Sequence, residues 1–304
     1  MACYHPVQVW VKVGGGICWS KYDPQAIPTS PMKIACGKCI GCLSDRSMEW
    51  ATRLAHEISW AQNEHKKRSY FLTLTYDDAN LPPGRTLVTK DLQDFWKRYR
   101  KYLKNQQIRY YACGEYGDKL GRPHYHAIVI GHYWDDLVPS SKSDGGQHVN
   151  YTSAKLEKIW GKGFVAIGEA NMASCRYVSQ YVTKKVHGTE AADHYRYIDK
   201  HTGEVYDRKP EFSVSSKRPG IGLKHVQKYM DSIYTTDSVV INGKEISPPS
   251  YYDKQLKKTN PDLHKEVIQN RATAAIPYRP NQTPERLKVR EICANSRMKQ
   301  RSKK

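Results

Sequence analysis

Residues 108–130 read Ile108-Arg-Tyr-Tyr-Ala-Cys-Gly-Glu-Tyr-Gly-Asp-Lys-Leu-Gly-Arg-Pro-His-Tyr-His-Ala-Ile-Val-Ile130. Two runs within it, 108–114 and 124–130, are rich in β-branched and aromatic residues, which favour strands. The linker between them contains Gly117 and Gly121, which are typical of a turn. The sequence therefore predicts two antiparallel strands joined as a hairpin.

This hairpin brings three ionisable side chains together. Because strand side chains alternate between the two faces, His124 and His126 lie on one face. A turn around Lys119-Leu120 places Glu115 opposite His124, about 5 Å away across the strands. Two imidazoles and a carboxylate on one face can bind a metal ion. A pair of half-buried structural histidines is the alternative interpretation of the His-x-His spacing alone.

Further strands and helices are predicted on both sides of the hairpin. Strands are expected over 70–76 and 163–167, and helices behind Thr89, over 153–160 and over 172–186. The resulting order from Tyr70 to Gly188 is β-α-β-β-α-β-α. We therefore expect an α+β fold of the split βαβ, ferredoxin-like type, an antiparallel sheet with helices on one face.

The helix that follows Asn171 carries two tyrosines on one stripe. Each helical residue advances about 100°, so Tyr177, Tyr181 and Lys184 lie on nearly the same line. A separate apolar face is formed by Cys175, Val178, Val182 and Val186. The tyrosines are therefore not needed for the core and are available for chemistry. An aromatic packing stripe is the alternative interpretation of their spacing.

Cysteine spacing near the N-terminus indicates a structural metal site. The segment Cys36-Gly-Lys-Cys39-Ile-Gly-Cys42 has a spacing typical of metal ligands, and eight cysteines in 304 residues are too few for a disulfide scaffold. Zinc requires a fourth ligand, for which Cys3, His5 and Cys18 are candidates and Cys3 is favoured. An iron–sulfur cluster and free thiols are the alternatives.

Composition narrows the class of partner. The chain carries 49 Lys and Arg against 30 Asp and Glu, a net charge of +19, which predicts binding to a polyanion. Its 22 Tyr and 7 Trp exclude a disordered polyelectrolyte. No run of about 18 apolar residues and no signal peptide are present, so we expect a soluble protein without membrane contact, in a reducing compartment.

Four segments are expected along the chain. They are a Cys-rich zinc segment with a helix beginning at Ser44 (1–66), a nuclease-like core (67–188), an irregular basic extension (189–250) and a basic, flexible tail (251–304). The tail prediction rests on charge, because the last 24 residues hold eight Lys or Arg and two Glu, a net charge of +6.

Three motifs resemble those of the HUH endonucleases, which initiate rolling-circle replication by nicking DNA with a tyrosine. They occur in the family's order: Phe71-Leu-Thr-Leu-Thr-Tyr76, then His124-Tyr-His126, then Tyr177-Val-Ser-Gln-Tyr181-Val-Thr-Lys184. Two tyrosines together with an N-terminal Cys cluster are most similar to the replication initiators of small circular single-stranded DNA phages, Microviridae of the gokushovirus type.

The resemblance implies a catalytic ion, Mg²⁺ or Mn²⁺, held by His124, His126 and Glu115. Tyr177 and Tyr181 would be the nucleophiles, forming a 5′-phosphotyrosine, with Lys184 beside them. A His-rich site also accepts Zn²⁺ or Ni²⁺, and Lys185 lies next to Lys184, so the ion and the catalytic lysine both stay open.

The implied partners are single-stranded and origin DNA, a host helicase and a host DNA polymerase, in the cytoplasm of an infected bacterium. A helicase partner is expected because the chain has no P-loop motif of its own. Two alternatives are a tyrosine transposase with the same motifs and a zinc-containing nucleic-acid-binding protein without chemistry.

Overall fold

The computed structural model describes residues 3–117, 120–142, 149–186 and 188–301, with only the backbone at 141–142, 182–184 and 301. The strands are Val7–Lys12 (β1), Ile17–Cys18 (β2), Ala26–Ile34 (β3), Ser69–Tyr76 (β4), Arg109–Tyr116 (β5), Pro123–Ile130 (β6), Val138–Lys142 (β7), Val149–Thr152 (β8), Gly163–Glu169 (β9), Arg196–Ile198 (β10), Val205–Asp207 (β11), Phe212–Ser215 (β12), Val239–Ile241 (β13) and Lys244–Ile246 (β14). The helices are Ile40–His65 (α1), Thr89–Leu103 (α2), Ala154–Trp160 (α3), Met172–Lys184 (α4), Ala191–Tyr195 (α5), Leu223–Thr236 (α6), Ser250–Thr259 (α7), Pro261–Ala274 (α8) and Pro284–Arg301 (α9).

The larger of two compact units, Ser47–Pro261, is built on one antiparallel sheet. Its strands pair in the order β12-β5-β6-β4-β9-β8-β7. An α+β fold with an antiparallel sheet is thereby confirmed, whereas the split βαβ assignment stays a prediction. Strands β7, β8 and β12 extend the sheet beyond the four strands that the sequence predicts.

Helices cover both faces of this sheet, so the prediction of helices on one face is wrong. On β6, Ala127 and Val129 pack in a cluster with α2 and α3, whereas Ile128 and Ile130 pack on the other face with α1 and α4. The physical reason is that apolar residues occupy both alternating sets of positions in this strand, so each face needs a cover to exclude water.

The smaller unit combines Met1–Arg46 with Asp262–Lys304. In it, β1 pairs with both β2 and β3 in an antiparallel sheet. Helix α1 begins at Ile40, before the predicted cap at Ser44, because the Leu43 N–H already donates to the Cys39 carbonyl at 3.0 Å. The Cys segment therefore runs directly into the helix.

The C-terminal segments are more ordered than their charge predicts. Where the charge predicts a flexible tail from residue 251, the structure has α7, α8 and α9, with Val267 and Leu287 buried. The irregular extension likewise contains α5, α6, the β10–β11 and β13–β14 hairpins, and β12 in the main sheet. A few buried apolar side chains suffice to hold these elements despite the charge. The domain boundaries at 66, 188 and 250 stay predictions.

Across the described part of the chain, we find no helix with both the length and the apolar character needed to cross a bilayer.

Candidate metal centre and tyrosine helix

The β5–β6 hairpin has the predicted register. Glu115 is the direct partner of His124, and Cys113 is the partner of His126. The hairpin closes through the Gly117 N–H, which donates to the Arg122 carbonyl at 3.0 Å. The predicted turn at Lys119 falls outside the described residues. The cross-strand placement of Glu115 against the histidines is confirmed.

Three ligand atoms converge on this face of the sheet. Nε2 of His124 and Nε2 of His126 each lie 2.7 Å from the same oxygen, Oε1 of Glu115. Glu115 and His126 are buried, with 2% and 4% of their surfaces exposed, and His124 is partly exposed. Burial acts to raise the pKa of Glu115, but hydrogen bonds to the two imidazoles outweigh it and lower that pKa. The pocket thus stabilises a carboxylate.

The other ring nitrogens are held by the protein. Nδ1 of His124 lies 3.0 Å from the Arg122 carbonyl, and Nδ1 of His126 lies 3.0 Å from the Thr73 hydroxyl. Because a carbonyl only accepts, Nδ1 of His124 carries the proton and donates it. Its Nε2 lone pair would then face the Glu115 carboxylate, which is repulsive unless the ring is protonated or a cation is bound. This donor set fits a divalent metal ion.

Both predicted tyrosines lie against His126. The centroid of the Tyr177 ring is 5.1 Å from that of His126, and the Tyr181 ring stacks on the imidazole with a centroid distance of 5.5 Å. The two tyrosine rings are themselves 5.0 Å apart, edge to face. The helix therefore brings both tyrosines to the candidate metal centre.

The two tyrosines differ sharply in exposure. Tyr177 is 44% exposed, whereas Tyr181 is 4% exposed and belongs to the core cluster that contains Cys175 and Val178. The expectation that neither tyrosine is needed for the core is therefore wrong for Tyr181. Burial, followed by a hydrogen bond with Tyr177, raises the pKa of Tyr181 well above its ordinary value. Lys184 ends α4, and its side chain lies outside the described part of the structure.

Helix α4 is fixed at both ends. At its start, the Asn171 side chain accepts the Ser174 N–H at 3.0 Å and the Ser174 hydroxyl accepts the Asn171 N–H at 2.8 Å, a reciprocal capping box. Beyond its end, the Val186 N–H donates to the Tyr195 hydroxyl, which donates to the buried Glu211. These contacts set the position of the tyrosines over the sheet.

A second candidate metal site lies in the smaller unit. Cys3, Cys36, Cys39 and Cys42 have their sulfur atoms within 4.8 Å of one another. The Sγ atoms of Cys39 and Cys42 are 3.6 Å apart, and those of Cys36 and Cys42 are 3.9 Å apart. Tetrahedral zinc with Zn–S bonds of about 2.3 Å requires S···S distances of about 3.8 Å, so this set fits zinc.

Backbone N–H groups surround these sulfurs. The Cys36 N–H points at Cys3 Sγ (3.2 Å), and the Cys39 N–H points at Cys36 Sγ (3.3 Å). Burial acts to raise the pKa of Cys36, but the N–H groups of Cys39 and Lys38 outweigh it and lower that pKa to about 7. Of the three candidates for the fourth ligand, the structure brings Cys3 to the cluster. Cys18 instead contacts the Trp10 and Ser20 carbonyls, and His5 contacts Glu291.

Comparison with known proteins places this arrangement in a family. The family model of the replication-associated protein ORF2 matches residues 69–186, which include both sides of the candidate metal centre and the tyrosine helix. The replication-associated protein ORF2 of Spiroplasma virus 4 is 32% identical over 278 residues, covering 85% of this chain and 81% of the relative. The chain belongs to this family.

Other members of the replication-associated family are similar over comparable lengths. VP4 of Bdellovibrio phage phiMH2K is 30% identical, covering 86% of this chain and 79% of its own. ORF4 of Chlamydia phage 1 is 32% identical, covering 74% of this chain and 54% of its own. No solved structure matches. The resemblance to the replication initiators of small phages is thereby confirmed at the level of the family.

Two side chains of this family member were missed by sequence reasoning. Thr73 contacts Nδ1 of His126, and Phe71 stacks on the His126 ring with a centroid distance of 5.2 Å. Both lie in the upstream strand motif, at alternate positions that face the histidines. The strand period was a usable signal for their shared face, but the pairing of β4 with β6 is a long-range contact that the sequence alone did not provide.

Proposed function

We propose that this protein is a metal-dependent endonuclease and strand transferase that nicks and rejoins single-stranded DNA. Through these reactions it would initiate and terminate rolling-circle replication of a phage genome. The observation that carries the proposal is the convergence of Glu115, His124 and His126 beneath an exposed tyrosine, Tyr177. The names of the relatives, replication-associated proteins of phages, support the same process.

Oε1 of Glu115 and Nε2 of His124 and His126 would hold the divalent ion, Mg²⁺ or Mn²⁺. When bound, the ion supplies positive charge next to the scissile phosphate and offsets the charge that develops in the transition state. Thr73 and the Arg122 carbonyl keep the two rings oriented through Nδ1. Zn²⁺ and Ni²⁺ suit imidazole ligands too, so metal substitution belongs in the test.

Tyr177 is the tyrosine placed to attack first, because its ring is exposed to solvent and adjoins His126. Its hydroxyl oxygen forms a bond to phosphorus and gives up its proton, while the bond from phosphorus to the 3′-oxygen breaks and that oxygen takes up a proton. The products are a 5′-phosphotyrosine and a free 3′-hydroxyl. Because the phosphotyrosine retains the phosphodiester energy, resealing by a 3′-hydroxyl needs no ATP.

Tyr181 would serve the second cleavage. After one round of replication the first tyrosine is still esterified, so a neighbouring hydroxyl is needed to cut the regenerated origin. Tyr181 lies one helical turn away against the same imidazole. Its burial requires a local movement of α4 or of its cover before it can reach a phosphate. Lys184, at the end of the same helix, would steady the phosphate or the phenolate.

The rest of the chain would bind DNA and partners. The net charge of +19 favours phosphate contacts along single-stranded and origin DNA. A host helicase would unwind the duplex and a host polymerase would extend the 3′-hydroxyl in the infected bacterial cell. The four-cysteine cluster would bind structural zinc, because a site with four protein ligands leaves no open position for chemistry.

A nicking assay on circular single-stranded phage DNA tests the proposal. Nicking and a covalent DNA adduct are expected with Mg²⁺ or Mn²⁺, and both should disappear in excess EDTA. His126→Ala should reduce nicking by on the order of 100-fold or more while DNA binding persists. His201→Ala, at an exposed turn, should behave as wild type. Full activity in EDTA would contradict metal dependence. DNA binding without any adduct would favour a binding protein, and joining of hairpin ends without circle release would favour a transposase.

A further inference from the structure

A row of side chains crosses the sheet through the candidate metal centre. Direct register partners link Glu115 to His124, His124 to Thr75, and Thr75 to Phe164 on β9. Because register partners project to the same face, Phe164 lies on the face that carries the histidines. With neighbouring strands about 4.8 Å apart, Phe164 lies roughly 10 Å from His124 along this row.

Phe164 is exposed to an unusual degree for a phenylalanine in a central part of the sheet. Its surface is 65% exposed, whereas Val165 and Ile167 beside it are buried on the opposite face. A packed core therefore does not account for the aromatic ring. Exposing an apolar ring to water has a cost that burial by a ligand would recover.

The neighbours of Phe164 on this face are small. Thr75 is its partner on β4, and the next pair along the two strands is Thr73 with Ala166. All three are partly exposed. Helix α4 packs on β5, β6 and β12. The face around Phe164 is thus a shallow surface with one projecting ring.

We infer that Phe164 stacks with an unpaired base of the single-stranded DNA whose scissile phosphate lies at Glu115, His124 and His126. The inference rests on the proposed function for the position of that phosphate. A separation of roughly 10 Å between Phe164 and His124 suits a base one or two nucleotides from the cleaved bond. Stacking there would hold the strand in register over the metal centre.

A nucleobase fits this surface better than a protein partner does. The patch is one ring among threonines and an alanine, not the broad apolar area that a stable protein interface needs. The chain is strongly cationic, which favours a polyanion. The Asp78 carboxylate, just beyond the end of β4, is paired with Arg122 at 2.8 Å, which reduces its repulsion of a phosphate. Aromatic rings stack with any base, so the contact tolerates sequence variation.

Fluorescence anisotropy with 5′-labelled (dT)₁₂, in EDTA so that no cleavage occurs, tests the inference on the full chain. Phe164→Ala should weaken binding about tenfold, within the range measured for loss of one base–aromatic stack. Phe164→Trp should bind as tightly as wild type or tighter. Tyr133→Ala removes a comparably exposed aromatic, 57% exposed, and should leave the affinity unchanged.

The same measurement with an abasic 12-mer separates stacking from charge and from misfolding. Wild type and Phe164→Ala should bind the abasic strand equally, because the lost contact is with a base. Equal affinity of the two proteins for (dT)₁₂, or equal losses on both strands, would overturn the inference. Nicking that persists while Phe164→Ala binds normally would refute only this inference. Phe164-dependent binding without any nicking would refute only the proposed function.

Discussion

Oγ1 of Thr73 lies 3.0 Å from Nδ1 of His126, its direct partner across strands β4 and β6. This contact leaves Nε2 of His126 directed at Glu115, 2.7 Å away. A histidine that binds a metal through one nitrogen is commonly oriented by a hydrogen bond at the other. Thr73 is therefore a positioning residue for the candidate metal centre.

Thr73→Val should weaken metal binding at this centre by roughly 10- to 100-fold, because it keeps the shape but removes the hydroxyl that accepts from Nδ1. Isothermal titration with Mn²⁺ measures the change without relying on activity. Thr73→Ser, which keeps the hydroxyl, should bind nearly as wild type. Thr75→Val is the matched control, since its partner His124 is oriented by the Arg122 carbonyl instead. Equal effects of the Val substitutions at 73 and 75 would refute the assignment.

The unequal exposure of the tyrosines predicts unequal use. Tyr181→Phe should form the covalent DNA adduct at close to the wild-type rate, because Tyr177 is 44% exposed. Tyr177→Phe should form it more slowly, by about tenfold or more, because use of the buried Tyr181 requires a local opening. Neither variant should release unit-length circles, and the double variant should form no adduct.

Mass spectrometry of the DNA-linked peptide identifies the residue used in each case. A nucleotide attached outside residues 177–181, or an adduct in the double variant, would show that the nucleophiles are wrongly chosen. Equal rates for the two single variants would show that the burial of Tyr181 does not limit its access.

Removal of one cysteine should cost the smaller unit its metal. Cys39→Ser is expected to lower bound zinc from about one ion per chain to none, because three ligands bind structural zinc far more weakly than four. Elemental analysis of purified protein measures the content, and circular dichroism reports the loss of structure. Cys293→Ser, at an exposed cysteine, should retain zinc. Iron in the wild type, or no metal, would contradict the zinc assignment.

Two stacked histidines predict acid sensitivity of the larger unit. His56 and His225 stack with a centroid distance of 3.8 Å, and His56 hydrogen-bonds the buried Tyr252 at 2.8 Å. Burial lowers the pKa of His56 to about 3 and that of His225 to about 4. Because an unfolded histidine has a pKa of about 6.5, the unfolded chain binds more protons between these values, so stability falls as pH falls through this window.

His225→Phe keeps a ring for stacking but removes one titrating group. The free energy of unfolding should therefore decline less between about pH 6.5 and about pH 4 in this variant than in wild type, by on the order of 2 kcal/mol. Urea unfolding at several pH values measures the slope. His264→Phe, away from this pair in sequence and partly exposed, is the control. Identical slopes in wild type and His225→Phe would refute the assignment.

Local patterns were sufficient for the hairpin and its ligands. Alternation along β6 placed His124 and His126 on one face, and the length of the turn between β5 and β6 set Glu115 opposite His124. These relations depend on contacts between residues close in sequence, so strand geometry fixes them. The apolar positions Cys175 and Val178 were recognised in the same way, from the helical period of α4.

The sequence by itself determined the strand register at Glu115, the shared face of the histidines, the common stripe of Tyr177 and Tyr181, and the cysteine spacing. Only the tertiary structure decided that Thr73 orients His126, that Tyr181 is buried while Tyr177 is exposed, and that Phe164 joins the row through the metal centre. The physical reason is that burial and long-range strand pairing depend on which elements pack together. A single element's periodicity shows the direction of a side chain, whereas the element that covers it is chosen by the whole fold.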